Sequence, residues 1–325
     1  MTASVASLFE PVEADLKLLR QNLKGLVGAQ HPILGAAAEH LFEAQGKGLR
    51  PGLVLLMARA TATDRQLTPK HRRLAEITEM IHTASLVHDD VLDTADVRRG
   101  ISTVNSDFGN RIAILAGDFL FAQSSWYLAN LDNLEVVKLL SKVIKDFAEG
   151  EVRQSLTQFD VSLTFEAYLE KSFYKTASLM ANSVKAATLL SDCDDDLATA
   201  AYEFGRCWGI AFQIIDDWLD FTSSTDVLGK PAGSDLAQGN ITAPVLFAFE
   251  QYPQLRELLE RELEEPGDLE LALEWVAQSD GLEQTRQLAQ RYARQAATWL
   301  ESLPECNATT ALQDLTNHYL LNRLS

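Results

Sequence analysis

The chain contains 325 residues, of which 46% are hydrophobic, and it carries a formal net charge of −18. This length and composition are sufficient for a large buried core and allow one or two domains. Because acidic residues outnumber basic ones and no basic face is evident, we exclude nucleic acid as a partner.

Apolar residues recur at helical spacing along nearly the whole chain, which predicts helices almost throughout. Thr68 and Pro69 are typical of a helix N-terminus, and this helix is predicted to continue to about Thr94. Loops are predicted at 46–51 and 223–240. The other predicted helices are Val12–Val27, Pro32–Glu43, Leu53–Thr61, Ile112–Asn130, Leu134–Asp160, Thr164–Leu190, Leu197–Phe221, Ile241–Phe249, Leu255–Glu264, Leu269–Gln278, Leu282–Leu303 and Thr309–Leu324.

No composition shift, fixed repeat or run of alternating β-branched residues interrupts this pattern. We therefore predict a single all-α domain over residues 1–325, a helical bundle with the site in a central cavity between facing helices.

The cysteines and the N-terminus bear on the compartment. Cys193, Cys207 and Cys306 are scattered, which favours a reducing compartment without disulfides or zinc. The acidic N-terminus has no apolar signal core, and no stretch approaches the roughly 18 uninterrupted apolar residues of a membrane span. We therefore expect a cytoplasmic protein without a transmembrane segment.

An acidic motif ends the predicted helix that begins at Pro69. Asp89, Asp90 and Asp93 form a DDxxD sequence directly after an apolar run. Positions four apart share one face of a helix, so Asp89 and Asp93 point the same way, and their like charges favour a bound cation.

The same pattern occurs a second time, as Asp216, Asp217 and Asp220. The first residues of the two motifs are 216 − 89 = 127 positions apart, so the motifs lie on different helices. Carboxylates without a neighbouring His or Cys cluster are ligands typical of Mg²⁺, which also takes waters and the oxygens of a substrate phosphate. The repeated motif therefore predicts a Mg²⁺ site for a phosphate-bearing substrate.

Further motifs follow in one order along the chain. They are the loop Gly46-Lys47-Gly48-Leu49-Arg50-Pro51, the pair Arg98-Arg99, the pair Lys175-Thr176, Gln213 before the second acidic motif, and Lys230 in the segment LGKPAGSDL. With both acidic motifs, they make the chain resemble the trans-isoprenyl diphosphate synthases over roughly residues 40 to 245. The segments HTASLVHDDV and AGDFLFAQSSWYLANL are most similar to the long-chain, solanesyl-type branch of cyanobacteria and plastids.

This resemblance implies an isoprenoid-synthase-type bundle, a homodimer, and a prenyltransferase that condenses isopentenyl diphosphate repeatedly with an allylic diphosphate. The long all-trans product would serve as a quinone side chain. The resemblance implies metal ligands at Asp89, Asp93 and Asp216, with about three Mg²⁺ ions per active site. Asp90, Asp217 and Asp220 would hold metal-bound waters or orient the ligands.

The remaining roles implied by the resemblance divide between two substrates. The diphosphate of isopentenyl diphosphate would be bound by Lys47, Arg50, His82 and Arg99. The allylic diphosphate would be bound by Arg98, Lys175, Thr176, Gln213 and Lys230, of which Lys175 and Lys230 are also assigned to catalysis together with Asp89, Asp93 and Asp216. Gln45 and Gly48 replace a glycine and an arginine that are usual in the family's loop, so we expect weaker binding of isopentenyl diphosphate.

Product length is predicted from the residues before the first motif. Ala84 and Ser85 are small where short-chain members of the family have a bulky aromatic residue, and Ile81 lies one turn further back. Helix rise is about 1.5 Å per residue, so a C5 unit of roughly 5 Å covers about one turn, and the open path predicts a product of about C45.

Three alternatives remain beside this interpretation. The first is a shorter-chain (C20) geranylgeranyl diphosphate synthase. A class I terpene cyclase shares the first DDxxD but differs in its second metal motif, and a non-catalytic synthase subunit typically lacks one acidic motif. A di-iron site needs two Glu-x-x-His pairs, and Glu79 with His82 is the only such pair in the sequence.

Overall fold

The computed structural model describes residues 5–26, 28–42, 46–98, 100–223 and 232–324. These residues are mainly helical, which confirms the predicted fold class. The first part of the chain contains α1 (Val5–Leu8), a 3₁₀ turn (Glu10–Val12), α2 (Glu13–Leu26), α3 (Pro32–His40), α4 (Leu49–Thr61), α5 (Pro69–Leu92), α6 (Val104–Phe108), α7 (Asn110–Ala129) and α8 (Leu134–Leu156).

The second part continues with helices and two π-helical segments. Its elements are α9 (Phe165–Ser172), π1 (Phe173–Ala177), α10 (Ser178–Leu189), α11 (Asp195–Thr222), α12 (Ser234–Ala237), α13 (Ala243–Ala248), α14 (Leu255–Glu260), α15 (Asp268–Gln278), α16 (Gly281–Leu300), α17 (Asn307–Asp314) and π2 (Leu315–Leu320).

The chain divides into two compact units. The first unit consists of Met1–Lys145, Leu179–Tyr202 and Leu300–Asp314. The second unit consists of Asp146–Ser178, Glu203–Trp299 and Leu315–Ser325. The first acidic motif therefore belongs to the first unit, and the second motif to the second unit.

The predicted start of α5 is confirmed, and a capping box fixes it. The Thr68 hydroxyl accepts from the His71 backbone N–H at 3.3 Å, and His71 Nδ1 accepts from the Thr68 N–H at 3.2 Å. The buried face of α5 includes Leu74, Ile81 and Ala84, so packing within the first unit holds the helix that ends at the first motif.

The start of α4 differs from the prediction. The helix begins at Leu49 rather than Leu53, so Arg50 and Pro51 are helical instead of lying in a loop. Proline is tolerated there because a first-turn N–H has no intrahelical partner. Gly48 precedes the helix with φ of 65°, a left-handed conformation that favours glycine over the arginine usual in the family.

The predicted helix Thr164–Leu190 is confirmed as one continuous helical run, in which the π-helical turn π1 lies between α9 and α10. Thr164 caps α9, as its hydroxyl accepts from the Ala167 N–H at 3.2 Å. A Cβ on Gly209 of α11 would lie 2.5 Å from the Ala177 Cα, so this glycine permits the close approach of α11 to π1. π-bulges of this kind are frequent at functional sites.

A two-stranded antiparallel hairpin, β1 (Val97–Arg98) and β2 (Ile101–Ser102), follows α5 and was not predicted. Its register places Arg98 opposite Ile101. The predicted loop 223–240 contains α12, while residues 224–231 lie outside the described residues.

One helix among the described residues, α7, has the length and apolar composition of a membrane span. Ile114, Leu115 and Trp126 of α7 are exposed. Core helices of proteins without a membrane span share this length and composition.

Candidate active site

The first acidic motif occupies the C-terminal end of α5. Asp93 is the C-cap residue, and its backbone N–H donates to the Asp89 carbonyl at 2.8 Å. Asp89 is half-buried and Asp93 is exposed, whereas Asp90 is buried. Arg98 Nε donates to Asp90 Oδ1 at 2.6 Å, so the hairpin arginine holds this carboxylate. The structure thus pairs Arg98 directly with the first motif.

A basic pair lies in the same unit, where the start of α4 meets α5. Arg50 Nη1 is 3.0 Å from His82 Nε2, and His82 is 9% exposed. Arginine only donates, so His82 Nε2 is the acceptor and the neutral ring carries its proton on Nδ1. Two residues predicted to bind isopentenyl diphosphate are therefore in contact, and Lys47 precedes them in the loop.

Two clefts of the first unit adjoin these groups. One is lined by Asp90 and Arg98 together with His40 and Thr83. The other is lined by Gly46 and Gly48 of the basic loop. Arg20 and Lys24 of α2 also line this second cleft. Sequence reasoning missed them because no motif surrounds them.

The second acidic motif lies near the end of α11. Asp216 is half-exposed and forms an ion pair with Arg323, whose Nη2 donates to Asp216 Oδ1. Sequence reasoning missed Arg323, because nothing in the sequence around it indicates a partner more than a hundred residues earlier.

Asp217 is buried in a continuous hydrogen-bonded chain. Thr176 Oγ1 donates to Gln213 Oε1 at 2.5 Å, Gln213 Nε2 donates to Asp217 Oδ1 at 2.8 Å, and the Tyr168 hydroxyl donates to Asp217 Oδ2 at 2.5 Å. Burial and then the nearby Asp235 raise the pKa of Asp217 to about 7, while these hydrogen bonds and Lys171 act in the opposite direction. The structure thus joins three residues singled out from the sequence.

Tyr168 and Lys171 are the members of this cluster that sequence reasoning missed. Tyr168 is fully buried, and burial followed by the Asp217 charge raises the pKa of its hydroxyl. Lys171 is 8% exposed, and burial lowers its pKa, although the Asp217 and Asp235 carboxylates oppose this change. Both precede Lys175 at helical spacing, which is the signal that could have identified them.

Asp220 is buried and bound to the N-terminus of α12. Its Oδ1 accepts from the Ser234 hydroxyl at 2.9 Å, and its Oδ2 accepts from the Asp235 N–H at 3.1 Å. These contacts agree with a carboxylate that orients the motif rather than one that coordinates a metal directly.

Lys175 lies in π1, where its Nζ donates to Gln154 Oε1 at 2.9 Å and is 3.7 Å from Glu151 Oε1. Both partners are on α8. The π-helical turn therefore places the predicted allylic-site lysine beside the same unit's hydrogen-bonded chain, which begins at the adjacent Thr176.

The residues predicted to set product length lie on α5. Ile81 and Ala84 are fully buried, whereas Ser85 is half-buried and its hydroxyl donates to the His82 carbonyl at 2.9 Å. One turn before Ile81, the Thr78 hydroxyl donates to Ser183 Oγ at 3.1 Å. Arg99 and Lys230, two further predicted site residues, lie outside the described residues.

Each acidic motif, taken within its own unit, has carboxylates that fit Mg²⁺ bound together with a diphosphate. Within the described residues, no group of three or more His, Cys, Asp or Glu side chains is placed so that it could hold a metal ion by itself. Mg²⁺ commonly binds through one or two carboxylates and the oxygens of a substrate phosphate. Asp89 and Asp93, which lie one turn apart and are accessible, match that requirement. Half-exposed Asp216 of the second motif also matches it. The buried carboxylates of the two motifs accept hydrogen bonds from protein donors instead.

Comparison with known proteins gives one consistent result. The model of the polyprenyl synthetase family matches residues 31–276. A prenyl transferase from Synechocystis sp. is 64% identical over 321 residues, covering 99% of each chain. The chloroplastic solanesyl diphosphate synthase 1 of Arabidopsis thaliana is 54% identical over 320 residues, covering 98% of this chain and 79% of the relative.

A solved structure matches over the same extent. It is the polyprenyl synthase from Caulobacter crescentus in complex with calcium and isoprenyl diphosphate, with a TM-score of 0.90 and 32% identity. The match covers 99% of each chain.

Proposed function

The chain belongs to the polyprenyl synthetase family and is a prenyltransferase, and we propose that it synthesises a long-chain, all-trans polyprenyl diphosphate from isopentenyl diphosphate and an allylic diphosphate. The observation that carries this proposal is the hydrogen-bonded chain from Thr176 through Gln213 to Asp217, which joins motifs that are distant in the sequence. The identity to solanesyl diphosphate synthases supports a product of about C45, which would become a quinone side chain.

Within this proposal, isopentenyl diphosphate is bound by the basic pair of the first unit. The Arg50 guanidinium suits two phosphate oxygens, and Lys47 contributes a point charge. His82, which accepts from Arg50, fixes the orientation of the guanidinium. Arg99 is assigned to the same substrate by resemblance alone. A bound diphosphate holds the double bond of isopentenyl diphosphate at a fixed place for attack on the allylic carbon.

The allylic diphosphate is assigned to the acidic motifs and their basic neighbours. Asp89, Asp93 and Asp216 are the proposed ligands of Mg²⁺, which when bound neutralises the diphosphate and makes it a leaving group. The calcium in the Caulobacter structure supports a divalent cation. Arg98 and Lys175 stabilise the negative charge that develops as the C–O bond breaks, and Lys230 is assigned the same task.

The buried carboxylates have a positioning role in this scheme. Asp217 and Asp220 are held by Tyr168, Gln213 and the N-terminus of α12, so the end of α11 is rigid where Asp216 projects. Asp90 is held by Arg98 in the corresponding place on α5. Ligands fixed in this way need little reorganisation when the metal–diphosphate complex binds.

The assembly proposed is a homodimer. The exposed face of α7, which includes Ile114, Leu115 and Trp126, supports it, because large apolar side chains on one helix face favour burial against a partner. The family match crosses both compact units, which supports a single catalytic domain. The free cysteines support a reducing compartment, and a cytoplasmic location stays a prediction.

Release of inorganic diphosphate from an allylic diphosphate, measured with and without isopentenyl diphosphate, tests the reaction type. The proposal predicts release that requires isopentenyl diphosphate and stops when a chelator is added. Release without isopentenyl diphosphate would indicate a cyclase, and no release under either condition would indicate a non-catalytic subunit.

A further inference from the structure

The ion pair between Asp216 and Arg323 lies on an aromatic platform of the second unit. Trp208, Phe212 and Asp216 follow one another at four-residue intervals on α11 and so share one face. The Phe212 ring stacks on buried Trp208 at 5.4 Å, and the Arg323 guanidinium lies 4.6 Å above the centre of the Phe212 ring. The guanidinium is thus held by a ring on one side and a carboxylate on the other.

The backbone of Arg323 is fixed independently of the contacts that its side chain makes. Leu320 and Leu324 are buried, and the Arg323 N–H donates to the Leu320 carbonyl at 3.4 Å. A change of rotamer can therefore move the guanidinium while the backbone stays in place. The side chain is 22% exposed, which leaves room for such a movement.

The Arg323 guanidinium also has a hydrogen-bond donor that is not used. Among the described residues, its Nη1 atom is buried and has no hydrogen-bond partner. An unsatisfied buried donor is unfavourable, and a phosphate oxygen beside Asp216 would satisfy it. At the same time, a positive charge bound to Asp216 opposes the binding of a divalent cation to that carboxylate.

We propose that Arg323 is a counterion of Asp216 before substrate binds and transfers to the allylic diphosphate when the metal–diphosphate complex binds. The proposal rests on the function proposed above, since it takes Asp216 as a metal ligand. It assigns one arginine two opposite effects: it weakens binding of the metal alone and strengthens binding of the diphosphate that arrives with the metal. A purely structural arginine would produce neither effect.

Titration with Mn²⁺ followed by electron paramagnetic resonance tests both effects without any turnover. Arg323→Gln should bind Mn²⁺ roughly three- to tenfold more tightly than wild type when no diphosphate is present. With Mn²⁺ saturating, the same variant should bind inorganic pyrophosphate more weakly by a similar factor. Arg323→Lys keeps the charge and should bind Mn²⁺ within roughly twofold of wild type.

Two controls connect the effect to the ion pair. Arg286→Gln removes an exposed arginine of the same unit that pairs with Glu283, and it should leave both affinities unchanged. In an Asp216→Asn background, Arg323→Gln should no longer tighten Mn²⁺ binding. If Arg323→Gln does not fold, as judged by circular dichroism, Phe212→Leu removes the platform without changing charge and should shift both affinities in the same directions.

Unchanged or weaker Mn²⁺ binding by Arg323→Gln would overturn the proposal. So would a gain that persists in the Asp216→Asn background. Because these measurements use Mn²⁺ and pyrophosphate alone, the proposal can fail while condensation persists, and the proposed function can fail while this linkage is observed.

Discussion

The hydrogen bond that the Tyr168 hydroxyl donates to Asp217 helps to hold the second acidic motif in place, and Tyr168→Phe removes this bond. The variant keeps the ring and leaves Asp217 Oδ2 buried without its phenol donor. At pH 8, above the pKa of about 7, the Asp217 carboxylate is ionised, so the lost bond is charge-assisted. A hydrogen bond to a charged group contributes about 1.5–3 kcal/mol, so we expect the free energy of unfolding to fall by about 2 kcal/mol.

Differential scanning calorimetry measures this loss. For a chain of 325 residues, an unfolding entropy of about 2.1 cal/mol/K per residue converts a loss of about 2 kcal/mol into a decrease in Tm of roughly 3 °C. Because Asp217 adjoins the proposed metal ligand Asp216, kcat/KM for the allylic substrate should also decrease by about tenfold or more.

Tyr174→Phe is the matched control. Its hydroxyl donates to Glu170 Oε1 at 3.2 Å, four residues earlier, in an exposed pair of the same unit. Removing that bond should change the free energy of unfolding by no more than about 0.5 kcal/mol. If Tyr168→Phe and Tyr174→Phe had the same Tm and the same kcat/KM, the reasoning about the buried chain would be refuted.

Four further predictions concern the remaining parts of the site. Asp89→Ala should reduce turnover by roughly two orders of magnitude or more, and a chelator should abolish wild-type activity until Mg²⁺ is restored; near-normal turnover of the variant would contradict the metal assignment. Arg50→Ala should raise the KM for isopentenyl diphosphate more than that for the allylic substrate, and initial rates with each substrate varied in turn would reveal the reverse. Ser85→Phe should shorten the product to about C15–C20 in a folded protein, since it adds an obstacle one turn before the first motif, and chromatography of an unchanged product would count against that path. Burial lowers the pKa of His71 below its ordinary value of 6.5. The contribution of His71 to stability should therefore be complete above pH 6.5 and be lost as pH falls through the folded-state pKa. His71→Asn should flatten that part of the pH profile of the unfolding free energy, measured by urea denaturation.

The sequence predicted those features of the fold and the site that depend on a local pattern of residues. Apolar periodicity located the long helices, and the Thr68–Pro69 signal located the start of α5 to the residue. Four-residue spacing also placed Asp89 and Asp93 on one face. The same spacing does not determine burial, so the burial of Asp90 and its pairing with Arg98 required the structure.

Contacts between segments that are distant in the sequence could not be predicted from local sequence patterns. The Tyr168–Asp217 bond joins residues that are 49 positions apart, and the Asp216–Arg323 pair joins residues 107 apart. Both depend on how α11 packs within the second unit. The π-helical turn within one predicted helix also depends on tertiary packing, since Gly209 of α11 permits the close approach to Ala177. The roles of Arg99 and Lys230 stay predictions.

The length of the product made by the purified protein tests the central claim most directly. The enzyme would be supplied with Mg²⁺, labelled isopentenyl diphosphate and an allylic starter, and the dephosphorylated products would be separated by chromatography. The account predicts a main product of about C45, with C40 and C50 as neighbours. A main product of C20 or shorter, or a starter that is not elongated at all, would contradict it.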